Sequence, residues 1–395
     1  MPTPAANPPA QRLELLDLLR GLALGGMLLV HFQYYTSGGG GFATALGPIA
    51  AFMGDAYTLF AFLFGAGVGL SFLRARAQSR PPGAFAASML RRMLGLAAIG
   101  FATETVTGYH VLNLYVLSGF ALLALAACSA RTLVALAAAC LLAGPAATVG
   151  VGLAQRASAG VEAANDAAVA RRQAYHRMLQ ERDQAKAHGG FPELVALQAR
   201  QVLGRYADPW SYVPGEVAVL ALLGLAVAKR GALPALADPA VARRWLPRAF
   251  ASFVVLGAAG AAFWAHWPPV DLGFKPFSFA AGDLVGGILS TRWLGFAFAT
   301  SLAWLTVVSP RARWALSPVA GAGKMAITFY VLHVFALELL LGGYWFQVPL
   351  TPLQGFLAAA ATYAAMSAAA HAWLRRFRYG PVEWAWRWAA GTAPA

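Results

Sequence analysis

Charge is scarce in this chain of 395 residues. Asp, Glu, Lys and Arg together make up 12% of it, about half the share found in soluble globular proteins, which excludes that class. Cysteine is scarcer still. Cys128 and Cys140 both fall inside hydrophobic segments, which excludes a disulfide framework or a thiolate metal site and reads them as small core residues. Acidic residues are fewer than basic ones, 16 against 30, giving a formal charge of +14. That excess would fit nucleic acid, but the placement of the basic residues excludes such a partner. A cleavable leader is not expected, because Asp17 and Arg20 stand inside the first apolar stretch and no small-residue cleavage site follows it.

What the chain has in abundance is apolar sequence. Hydrophobic residues make up 59% of it, and runs near the twenty residues needed to cross a bilayer recur along its length. Ten such runs centre on 21–32, 58–73, 93–106, 111–127, 133–153, 213–228, 250–267, 294–308, 325–341 and 356–373. The predicted fold is therefore all-α, a polytopic membrane bundle of about ten transmembrane helices, with the lipid bilayer as its first partner. Loops on one side hold Arg74, Arg76, Arg80, Arg91 and Arg92, then Arg131, Lys229, Arg230, Arg243, Arg244 and Arg248, then Arg311, Arg313 and Lys324. The tail adds Arg375, Arg376, Arg378 and Arg387, whereas the opposite loops after spans one, three and nine carry no Lys or Arg. Basic loops are retained in the cytoplasm, so the sequence predicts a cytoplasmic (inner) membrane protein with both termini cytoplasmic.

Three regions follow. Residues 1–153 form a five-span half, 154–209 an extracytoplasmic hydrophilic insert, and 210–395 a second five-span half. The insert contains EAANDAAVARRQAYHRMLQERDQAKAH, free of Pro and Gly and ended by Gly189 and Gly190. It reads as a helical hairpin capping the bundle, with a substrate lid as the alternative. Five spans on either side invite an inverted-repeat transporter, yet the halves show no convincing similarity.

Candidate functional residues start in the first span. An ionised group inside a membrane helix costs about 2.5–3.5 kcal/mol on insertion scales, so it tends to face a bundle interior and mark function. Arg20 and His31 lie in one such segment, about 16 Å apart along a helix axis. His31, Asp55, Glu104 and His110 all fall near the extracytoplasmic ends of the first spans. An imidazole exchanges protons near neutrality and a carboxylate can orient it, so His31 is the candidate catalytic base, with Glu104 or Asp55 orienting it and His110 nearby. Arg20 is a candidate substrate-binding residue, or the partner of Asp17 at i and i+3. His333, near mid-membrane with Glu338 five residues on, is either a buried structural histidine or a pathway residue. No metal site is predicted.

Two glycine-rich stretches carry less. Gly65, Gly67 and Gly69 in LFGAGVGLSF follow no strand, so the segment reads as close helix packing rather than a dinucleotide loop. Ser37 to Gly41, SGGGG, reads as a turn outside the membrane. In the tail, WLRRFRYGPVEWAWRW suits an interface helix, with tryptophans at headgroup level and arginines toward anionic lipid.

The tail RRFRYGPVEWAWR closely resembles the end of the YeiB-like family of bacterial inner-membrane proteins, a domain-of-unknown-function family. GAGKMAITFYVLH, from Gly321 to His333, is similar to another pattern of that family, which usually has Arg at the place of Lys324. LDLLRGLALGGMLLV, LFAFLFGAGVGL and ALLGLAVAKRGAL extend the likeness over most of the chain. This sequence departs from the family at His31, commonly Asn there, and at Thr103, His110 and Phe329, where His, Asp and Asn are frequent. The first span also resembles membrane acyltransferases related to heparan glucosaminide acetyltransferase, which often open with Arg, ten residues, then His. The resemblance implies transfer of an acyl group from cytoplasmic acyl-CoA, such as acetyl-CoA, to an extracytoplasmic hydroxyl or amine, for instance on a cell-envelope or sugar acceptor. His31 would be the general base or a transient acyl carrier, and Arg20 would meet the donor's phosphates. No bound cofactor is expected. A small-molecule transporter and a non-catalytic membrane partner in envelope function are the rival readings.

Overall fold

The computed structural model describes residues 14–33, 56–109, 111–188, 190–207, 215–236, 238–266, 285, 288–341 and 350–390. The SGGGG turn, Asp55 and His110 lie outside the described residues. Fifteen helices and no β-strand occur among the described residues. They are α1 (Glu14–Gln33), α2 (Ala56–Ala77), α3 (Pro82–Thr107), α4 (Val111–Leu125), α5 (Ala130–His188), α6 (Phe191–Ala207), α7 (Gly215–Lys229) and α8 (Ala232–Ala235). The second half adds α9 (Pro239–His266), α10 (Arg292–Val308), α11 (Pro310–Ala315), α12 (Ser317–Lys324), α13 (Ala326–Leu341), α14 (Pro352–Trp373) and α15 (Pro381–Ala389).

Each of the ten apolar stretches contains a helix, and the all-α membrane bundle is borne out. Six helices are long and apolar enough to cross a membrane, or seven if α12 and α13, bent by 88° at their junction, count as one broken span. Ten crossings would need the shorter α4, α7 and α10 to span as well.

Local sequence sets the helix ends. Pro82 opens α3, where its missing N–H is no loss, and Gly108 ends it with φ 77°, returning its N–H to the Glu104 carbonyl at 2.8 Å. Thr351 and Gln354 close a capping box over the start of α14. Gly160, with φ 84° and ψ 170°, interrupts α5 where the apolar span gives way to the hydrophilic insert. Beyond it the insert is helical as the sequence predicts, and α6 packs on both α5 and α3.

Small residues bring the central helices together. α1 lies against α2, α10, α12, α13 and α14. A Cβ at Gly21 would overlap the Val319 carbonyl, and one at Gly323 would overlap the Asp17 carbonyl, so α1 and α12 meet backbone to backbone. Gly65 and Gly224 make the same kind of approach between α2 and α7, against Ala221 and Phe62. The glycine stretch at 65–69 is therefore a packing surface, since Gly69 also faces Ala228. Burial follows from this arrangement: 72% of the apolar window of α1 is buried, against 6% in the spanning part of α5. The first helix is the axis of the bundle, and its polar groups are turned into protein.

Candidate functional site

His31 stands in the last turn of α1, buried, and its bonded partner is His333 of α13, 302 positions away in sequence. Nδ1 of His31 lies 2.9 Å from Nε2 of His333, and Nδ1 of His333 lies 2.9 Å from the Phe329 carbonyl oxygen. That carbonyl accepts only, so His333 Nδ1 carries a proton and, in the neutral ring, Nε2 carries the lone pair. His31 Nδ1–H then donates to it. The remaining nitrogen of His31, Nε2, then carries the lone pair of the neutral ring. Aromatic rings fix the pair. Tyr109 lies tilted against His31 with centroids 4.0 Å apart, and Tyr330 sets its edge to His31 at 6.3 Å and to His333 at 5.4 Å.

The helix that carries His333 is held by the chain's tail. Breaking the span between α12 and α13 frees the first N–H groups of α13, which need acceptors. Glu383 of α15 supplies them: its Oε1 accepts from the Ile327 N–H at 2.6 Å and the Thr328 N–H at 3.0 Å, while Oε2 accepts from the Thr328 hydroxyl. Thr328 Oγ1 in turn accepts from the Val382 N–H at 3.0 Å. A carboxylate at the positive end of a helix is doubly favoured, by hydrogen bonding and by the helix dipole. α15 is also tied to α3, with Trp386 Nε1 donating to the Arg92 carbonyl at 2.7 Å and Arg91 Nε to the Ala390 carbonyl at 3.1 Å. The tail therefore does more than the interface anchor expected of it. Trp384 and Trp388 are exposed, whereas Glu383, Trp386 and Arg387 form a wall.

What that wall encloses is a cavity of about 610 Å³. One end is strongly basic, lined by Arg20, Arg74, Arg92, Lys324, Arg378 and Arg387 against the acids Asp17 and Glu383. The other is apolar and aromatic, reaching Leu24, Met27, Phe60, Tyr115 and Tyr330. Tyr330 joins the two parts of the site, lining the cavity on one side and meeting both imidazoles on the other. Arg92 sits 4.8 Å over the Trp386 ring and Arg387 4.3 Å over the Tyr379 ring, so two of the cations are positioned by aromatic faces.

Arg20 bonds Asp17 at 3.1 Å, the pairing at i and i+3 that the sequence offered, and it also lines the cavity. Gly67 is beside it: a Cβ there would come 3.4 Å from Arg20 Nη2. Glu104 is fully buried and accepts a hydrogen bond from Asn113 Nδ2 across α3 and α4. Glu338 is likewise buried. The residue seen bonded to His31 is thus a second histidine, where sequence reasoning looked to Glu104 or Asp55. Sequence reasoning also missed Tyr330, Lys324, Glu383, Arg378 and Arg387 as site residues. A signal was present, since all five belong to the stretches GAGKMAITFYVLH and RRFRYGPVEWAWR. Among the described residues no three His, Cys, Asp or Glu side chains come close enough to hold a metal ion.

Comparison with known proteins matches both parts of this arrangement. Residues 227–392 match the family model DUF418, a protein of unknown function. Residues 12–169 match the catalytic model of heparan-alpha-glucosaminide N-acetyltransferase. The C-terminal part of the chain is similar to the DUF418, or YeiB-like, proteins. Its likeness to the membrane acyltransferases is borne out as well, and the site straddles the two matches: Arg20 and His31 come from the first, Lys324, Tyr330, His333 and Glu383 from the second. Among similar proteins, the uncharacterized protein YxaH of Bacillus subtilis is 25% identical over 95% of this chain and 94% of its own length. An uncharacterized 39.9 kDa protein in the amylase 3′ region of Bacillus acidopullulyticus is 33% identical over 27% of this chain, which spans 29% of that relative.

Proposed function

We propose that this protein transfers an acyl group from cytoplasmic acyl-CoA to a hydroxyl or amine on the far side of the inner membrane. The observation that carries this reading is the single cavity with six cations at one end and, at the other, a phenol in contact with the histidine pair. Cations suit the phosphates of the donor, whose charge-assisted hydrogen bonds are the strong ones. The apolar part of the cavity suits its extended arm. His31 Nε2 takes the acceptor's proton, and His333, fixed by the Phe329 carbonyl, keeps His31 in the tautomer that can do so. Arg20 belongs to the phosphate end. Glu104, and from the sequence Asp55 and His110, which lie outside the described residues, are second candidates for steering the acceptor.

Basic loops and the basic cavity mouth then lie on the cytoplasmic face, with both termini, and ten crossings place the 154–209 insert on the opposite face. The halves 1–153 and 210–395 contribute one histidine each. A transporter reading draws on the 88° break between α12 and α13, since broken helices are typical of transporter binding sites. In such sites the freed helix N-terminus faces the substrate. Here Glu383 fills it, which favours the enzyme.

The test is a sided assay in proteoliposomes with radiolabelled acetyl-CoA outside one face and a cell-envelope glycan fraction at the other. Label should reach the glycan with wild-type protein and should not with His31→Ala. Labelled substrate crossing unchanged, with no ester or amide formed, would replace this reading by transport.

A further inference from the structure

Tyr330 is a buried phenol whose hydroxyl has no hydrogen-bond partner among the described residues. A buried hydroxyl left unpaired is expensive, of the order of 1–3 kcal/mol, so its presence calls for a partner that arrives later. Its position narrows what that partner is. The ring forms part of the cavity lining, and it sits edge-on to His31 and His333. Ile327 and Thr328, one turn earlier in the same helix, are clamped by Glu383, so the phenol projects from a fixed stretch of α13.

Building on the acyl-transfer reading, we propose that the Tyr330 hydroxyl is the oxyanion donor of the reaction. It donates its hydrogen bond to the thioester carbonyl oxygen of the acyl donor. The acceptor oxygen forms a bond to the carbonyl carbon as its proton passes to His31 Nε2, and the C=O π pair moves onto the oxygen that Tyr330 holds. When that pair returns, the C–S bond breaks, its electrons leave with sulfur, and the thiolate takes the proton from His31. One ester and one free thiol result. Tyr330 stays neutral throughout and is a catalytic residue, because it touches the reacting atoms. A neutral donor fixed close to where charge develops stabilises the transition state.

The experiment uses the full chain in lipid nanodiscs and a ketone analogue of acetyl-CoA in which CH2 replaces sulfur, ¹³C-labelled at the carbonyl. Infrared difference spectra and binding are measured for wild type and Tyr330→Phe. The expected result is a carbonyl stretch at lower frequency in wild type than in Tyr330→Phe, with affinities within about twofold, and a fall in kcat for acetyl-CoA of about 10²–10³-fold. The same stretch in both proteins would overturn the role of Tyr330 while leaving acyl transfer standing. Failure of wild type to bind the analogue would overturn both. If Tyr330→Phe does not fold, 3,5-difluorotyrosine at position 330, a stronger donor, should lower the stretch further, and an unchanged frequency there would overturn the proposal.

Discussion

The two ends of α1 differ in kind. Around Arg20 the chain gathers six cations from five separate segments, partly open and one-third compensated by Asp17 and Glu383. Around His31 it gathers aromatic rings and a second imidazole, closed and without a formal cation. An open, charged end suits holding a polyanion, where many moderate contacts add up and salt screens them. A closed, neutral end suits proton transfer, where one atom in one geometry decides the rate. The comparison makes a sharp demand: changes at the Arg20 end should act on donor binding, and changes at the His31 end should act on turnover.

The largest effect tests the closed end. His31→Ala should lower kcat for acyl transfer by about 10²–10⁴-fold with donor KM within about twofold, measured by radiolabel transfer from acetyl-CoA. A rise in KM without loss of kcat would erase the division. Second in size is Glu383→Ala, which removes the acceptor for two backbone N–H groups and the Thr328 hydroxyl. Loss of a charged buried acceptor should destabilise the protein by about 2–3 kcal/mol, read as a lower midpoint of thermal unfolding in detergent. It should harm both ends at once, because α15 lines the cavity and steadies the helix of His333.

Smaller effects belong to the open end. Lys324→Ala or Arg387→Ala should each raise donor KM by about tenfold, worth about 1.4 kcal/mol, and leave kcat unchanged. The penalty should shrink as salt rises, since these groups are partly exposed. A salt-independent change would mean that the cations serve the fold rather than a ligand.

Much of this molecule was legible in the sequence, for reasons that are local. A run of apolar residues of the right length names a helix wherever it occurs, and all ten runs hold one, six of them long and apolar enough to cross a membrane, or seven with the bent pair. Asp17 and Arg20 pair because positions three apart share a helix face, and glycines at 65 and 69 let α2 approach α7 because nothing stands on their Cα atoms. The site was only half legible. His31 and Arg20 could be singled out because ionisable groups are rare in such a segment, yet the partner of His31 lies 302 residues away and no periodicity reports that distance. Glu383 illustrates the same limit. Its place in the first turn of α15 explains it locally, whereas its structural task is to close the start of a different helix. Knowing that α12 and α13 form one span broken at Met325 would have exposed the unfilled N–H groups, but the apolar run begins at Met325 and Lys324 before it reads as a loop residue.

The smallest expected effect is also the most discriminating about the closed end. In the pair, His333 accepts the proton of His31 Nδ1 through Nε2 and is held in that state by the Phe329 carbonyl. Nothing in that task requires a titrating group, only an acceptor at the right place. Gln at position 333 offers a carbonyl oxygen at a similar reach, so His333→Gln should retain kcat to within about tenfold, while His333→Leu, which leaves the donor of His31 unpaired, should lose more. The contrast between the two variants in one acyl-transfer assay separates an orienting residue from a proton carrier. If His333 relayed protons, Gln and Leu would be equally poor, and the closed end would be a conduit with two working imidazoles instead of one base and its support.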